Sequence, residues 1–117
     1  MLENIALIKE VHEHLATLKA QEIARAMLKK ISQDHLSLYR VSSCTPIEIF
    51  YVQFIRAVMM KENKIMIVTP FSLIDNLRNI NVIIENIKIL TDTKHILIVD
   101  MLSNEIHYEG TACNTVK

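Results

Sequence analysis

Glycine occurs once in this chain, at Gly110. Loops that cradle phosphate need several glycines, so that backbone N–H groups can approach the anion and φ can turn positive. A Walker A loop and a GxGxxG dinucleotide fingerprint are therefore excluded, and most nucleotide and cofactor folds go with them. Cysteine is nearly as scarce. Cys44 and Cys113 are too few for a disulfide framework, so free thiols and a cytoplasmic location are expected. Neither HExxH nor CxxC spacing occurs, so no metal and no cofactor are expected. Net charge is lacking too: 13 basic residues balance 13 acidic ones, which gives no electrostatic reason to expect nucleic acid or an anionic membrane. Long apolar runs are absent. The longest charge-free stretch runs only from Ile65 to Ile74, far short of a membrane span, and Glu3, Lys9 and Glu10 interrupt any signal-peptide core.

What is present is oil. Half of the residues are hydrophobic and the mean hydropathy is +0.23, ample for one packed domain over residues 1–117. A neutral, apolar-rich small protein tends to self-associate or to sit inside a complex. The expected partner is therefore a protein, with a homo-oligomer favoured. High Ile, Lys and Asn usage with little Arg and Gly fits an AT-rich coding bias, as in bacterial or phage genes.

Residues 2–31 read as a long helix, with Ile8, Val11, Leu15 and Leu18 spaced as a seam. The apolar phase then slips and resumes at Ile23, Met27 and Ile31. An unbroken helix would be about 45 Å long, against a diameter near 35 Å for a compact domain of this size, so a break near residues 19–21 is expected. Leu36–Val41 reads as a strand. Thr45, Pro46 and Glu48 then match a capping box with proline in the first turn. They open a helix expected to reach about Glu62, apolar almost all round and so buried on more than one side. Lys64–Thr69 reads as a central strand stopped by Pro70. Residues 72–90 show a helical face through Leu73, Leu77, Ile80, Ile84 and Ile87, with 87–90 readable as a strand instead. His95–Asp100 is a second central-type strand, and Glu105–Glu109 reads as its hairpin return, ended by Gly110. The tail, 111–117, is small and polar.

The predicted fold class is α/β in the order α-β-α-β-α-β-β. A small, mostly parallel sheet with an antiparallel C-terminal hairpin forms a body over 36–110, behind an N-terminal helical segment over 1–31. That order, with Cys44 at the first β–α junction, resembles a thioredoxin-like arrangement. The resemblance is one of element order alone. Thr45, Pro46 and Ile47 stand where a second cysteine would be, and Thr93-Lys94 where a proline would precede the third strand.

Cys44 is the sharpest catalytic candidate, because helix N-termini stabilise thiolates. The hydroxyls of Ser42, Ser43 and Thr45 beside it could hold an anion on free N–H groups. The plainer reading makes Cys44 a small apolar filler and the hydroxyls a cap. Asp100, Glu105 and His107 faintly echo a nuclease carboxylate set, but a lysine and a basic groove are missing. Of the histidines, His12 and His14 diverge on a helix, and His35, His95 and His107 are scattered. The chain holds more apolar helix surface than four short strands can cover. The function expected is thus a protein-interaction module, with Ile8, Val11, Leu15 and Leu18 as the partner face. The alternative is a thiol-dependent or anion-binding enzyme centred on Cys44.

Overall fold

The computed structural model describes residues 1–74, 80–111, 113, 114 and 116. The N-terminal segment is helical, as its spacing predicts, but the break falls earlier than the phase slip suggested. Helix α1 spans Leu2–His12 and α2 spans Thr17–Lys30. Between them His14 takes a left-handed conformation, φ 55°, which no helix can continue. The two helices fold back on each other. Ile5 and Ala6 of α1 and Ala20, Ala24 and Leu28 of α2 are wholly excluded from solvent, the alanines letting the backbones approach closely. Ser32, φ 57°, then closes α2 in a Schellman motif. The Gln33 N–H donates to the Leu28 carbonyl at 2.8 Å and the Ser32 N–H to that of Lys29 at 3.0 Å.

The predicted strand at Leu36–Val41 does not form. Two 3₁₀ turns, Asp34–Leu38 and Val41–Ser43, stand there instead. The Leu36/Leu38 alternation misled because only Leu36 is buried; Leu38 lies in solvent. The Ser37 hydroxyl donates to the Asp34 carbonyl at 2.6 Å and favours the local turn over an extended chain.

Helix α3, Pro46–Met59, starts where its cap predicts. The Thr45 N–H donates to Glu48 Oε1 at 2.8 Å and the Glu48 N–H to Thr45 Oγ1 at 3.4 Å, closing the box. The helix ends three residues before the expected Glu62. It is buried on several sides through Phe50, Tyr51, Val52, Phe54, Ile55 and Met59. It packs against both N-terminal helices, and Tyr51 Oη accepts from Asn86 Nδ2 of the following helix at 2.8 Å.

Both apolar strands form, but as the two edges of a two-stranded sheet rather than as central strands. β1 spans Lys64–Val68 and β2 spans His95–Val99, and they pair in parallel with Lys64 opposite His95 and Val68 opposite Val99. The connection holds a single turn, α4 (Pro70–Leu73), and helix α5 (Ile80–Leu90). Residues 87–90 are therefore helical, while Leu77 lies outside the described residues. Lys94 Nζ donates to the carbonyls of Met60, at 2.8 Å, and Glu62, tying the start of β2 to the end of α3.

The predicted C-terminal hairpin is replaced by a 3₁₀ segment, Leu102–Tyr108. Asp100 explains why. Its Oδ1 accepts from the Met101 N–H at 2.7 Å and Asn104 Nδ2 at 2.9 Å, and its Oδ2 from Tyr108 Oη at 2.6 Å. Those bonds curl the chain on itself rather than returning it along β2. The fold is thus mixed α/β with a two-stranded parallel sheet. Without the first strand and the hairpin, the thioredoxin-like order is not realised.

Candidate functional site

Parallel strands are normally covered on both faces, and their near-continuous apolar sequences reflect it. KIMIV and HILIV have that character, yet the described residues cover only one face. Ile65, Ile67, Ile96 and Ile98 point towards the helices and join the core. The alternate residues point the other way, and none of the described residues covers them: Met66 is 61% exposed, Val68 48%, Leu97 55% and Val99 43%. The register sets Met66 beside Leu97 and Val68 beside Val99, so the four form one patch. Leu73 adjoins Met66 and Val68 along a shallow cleft of about 140 Å³ between β1 and α3. Met101 and Leu102 extend the patch past the end of β2; both are well exposed.

A larger concavity, about 920 Å³, runs along the outer edge of β2 between α5 and the C-terminal residues. Ile84, Ile87, Ile96 and Ile98 line it together with Leu97, Val99, Met101 and Leu102. Its polar lining includes Lys88, Asp92, Lys94, Asp100, Glu105 and Tyr108. Burial raises the pKa of Asp100, but the donors Tyr108, Asn104 and Met101 outweigh it and hold the carboxyl below its ordinary value. Tyr108 is pushed the opposite way, first by burial and then by the carboxylate it donates to. This pair is committed to holding the 3₁₀ segment.

The partner face predicted from the sequence is not gathered into one helical stripe. Ile8 and Val11 lie on α1, Leu15 in the turn and Leu18 on α2. Ile8 and Leu15 pack partly into the core, whereas Val11 and Leu18 are exposed.

Cys44 follows a 3₁₀ turn rather than a strand. Its thiol donates to the Arg40 carbonyl at 3.4 Å. Burial, then the Glu48 carboxylate, pushes its pKa up despite the N-terminal ammonium. That is the reverse of what a reactive thiolate requires. Ser42 and Ser43 are exposed in the preceding turn, and the Thr45 hydroxyl is spent on the cap. Glu48 is held below the ordinary carboxylate range by the Thr45 N–H and then by His35 Nε2, 2.8 Å away.

Among the described residues no three of His, Cys, Asp and Glu are placed to hold a metal ion. His35 is engaged with Glu48, and His107 stacks on Phe71 at 4.5 Å between centroids. Glu105 and His107 ride on the 3₁₀ segment, so they do not alternate along a strand beside Asp100.

The bare sheet face escaped the sequence reading. Its signal was there, since two strands apolar on both sides ask for cover on both sides. No described helix is long and apolar enough to cross a membrane. No protein-family model, curated protein or solved structure matches this chain.

Proposed function

We propose that this chain acts by binding protein, as a small adaptor, accessory subunit, chaperone-like partner or inhibitor, and that it docks through the outer face of its sheet. One observation carries the reading. Met66, Val68, Leu97 and Val99 form a contiguous apolar face that the described residues leave about half exposed. Contiguous exposed apolar surface in a folded protein marks an interaction site far more often than scattered single residues do. Of the residues the sequence suggested, Val11 and Leu18 are also exposed, but they lie on separate helices, whereas the strand residues are neighbours in register.

The test is site-specific photo-crosslinking in the native host, with a photoreactive residue replacing Leu97 and, as a control, Glu22 on the exposed side of α2. The expected result is a discrete protein adduct at position 97, identified by mass spectrometry, and none at position 22. Equal, diffuse labelling at both positions would refute the reading.

A further inference from the structure

We infer that the occupant of the bare sheet face is a second copy of this chain, docked face to face about a two-fold axis. The axis lies in the interface and runs across the strands near Val68 and Val99. This inference rests on the protein-binding reading above and names its partner.

Area is the first argument. An aliphatic side chain carries roughly 100 Å² of apolar surface on the scale where its burial is worth about 1.5–3 kcal/mol at 25 cal/mol/Å². Leu73, Met66, Val68, Leu97, Val99, Met101 and Leu102 are between 43% and 72% exposed, so together they present about 400 Å² on that scale. A stable interface buries about 800 Å² per partner, a little over half of it apolar. The patch is therefore the size that one isologous dimer contact uses.

Self-complementarity is the second. The patch is centred on the Val68/Val99 row. Rotation about an axis over that row brings Met66 and Leu97 of each copy against Leu73, Met101 and Leu102 of the other, as an isologous contact requires.

Charge is the third. Strand alternation puts Lys64 and His95 at the amino end of the same face. Antiparallel stacking keeps the Lys64 ends of the two copies apart, whereas parallel stacking sets like on like. With 13 charges of each sign, no net repulsion opposes the pairing.

The competing mode is edge pairing of β2 with β2 of another copy. The His95 N–H points to Asn63 and the Val99 carbonyl to Thr69, so the Ile96 and Ile98 amides point to the outer edge. Edge pairing would protect those amides from exchange, whereas face stacking leaves them as they are in the monomer.

The experiment is analytical ultracentrifugation of the intact chain over a concentration series, with amide hydrogen exchange below and above the dissociation constant. The expected species has twice the 13.5 kDa chain mass. Leu97→Glu should weaken it at least 100-fold while circular dichroism stays unchanged. Should Leu97→Glu fail to fold, Met66→Glu makes the same measurement. A chain that stays monomeric at every concentration overturns the inference. So does a dimer indifferent to Leu97→Glu and Met66→Glu, or one whose formation protects the Ile96 and Ile98 amides. A monomer whose position-97 crosslinker captures a different protein removes the second copy and leaves the binding reading standing. A monomer with no discrete adduct removes both.

Discussion

Replacing His14, Ser32 and Thr69 by glycine should stabilise this protein. These three non-glycine residues hold positive φ, at 55°, 57° and 46°. An L-residue in that region pays about 1–2 kcal/mol for crowding between Cβ and the neighbouring carbonyl. Glycine avoids the clash but loses about 0.5–1 kcal/mol through the extra freedom of its unfolded chain. The net gain is about 0.5–1 kcal/mol at each site. Thr69 should sit at the upper end, because it is β-branched and precedes Pro70. None of the three side chains makes a described hydrogen bond or ion pair that glycine would forfeit. The triple variant should gain about 2 kcal/mol, which raises Tm by roughly 8 °C at about 4 °C per kcal/mol. The assay is urea unfolding followed by circular dichroism. The midpoint should rise with the slope unchanged, which places the effect in stability rather than in the extent of unfolding. Gly110→Ala is the mirror control. Its φ is 74° and a Cβ there would meet nothing within 4 Å, so its loss of about 1 kcal/mol would be purely conformational. A Thr69→Gly or Ser32→Gly variant that is neutral or destabilised would refute the reasoning.

Three further outcomes follow from local chemistry. Thr45→Ala should cost about 1 kcal/mol by removing the cap of α3, read from the thermal midpoint, whereas Thr45→Ser should restore most of it. Asp100 and Glu48 both have depressed folded-state pKa values. Their contribution is present above the ordinary carboxylate pKa of about 4 and is lost as pH falls through the lower folded values. The urea midpoint should therefore drop steeply below about pH 4. Tyr108→Phe should cost about 1 kcal/mol at pH 7 and flatten that drop; an unchanged acid profile would show that Tyr108 does not hold Asp100. Cys44 should alkylate with iodoacetamide at pH 7 more slowly than free cysteine, since burial and Glu48 raise its pKa. Faster alkylation would restore the thiol-enzyme reading.

Signals contained within a few neighbouring residues were legible in the sequence. The Thr45-Pro46-Glu48 cap, the Pro70 stop and the two apolar pentapeptides β1 and β2 all stand where the pattern places them. What failed needed tertiary information. Leu36–Val41 has a strand's alternation but no strand to pair with. Glu105–Glu109 has a hairpin's spacing, but Asp100 recruits Asn104 and Tyr108 and bends the segment into a 3₁₀ turn. The helix break at His14 rather than near residues 19–21 was hidden because the chain uses histidine where glycine is the usual signpost. The candidate surface was half legible: apolar excess was inferred, but the outer face of the sheet was not singled out. The sequence shows that both faces of β1 and β2 are oily, and cannot show that its helices reach only one of them.

The parallel pairing of β1 and β2 also bears on how this chain is made. Lys64 must wait for His95, and at about 5–20 residues per second a ribosome needs roughly 2–6 s to deliver the intervening chain. Throughout that interval the nascent KIMIV segment has no strand to bond with. Slower translation of the crossover would lengthen its exposure to other nascent chains, so the yield of this protein should respond to codon choice between residues 69 and 94.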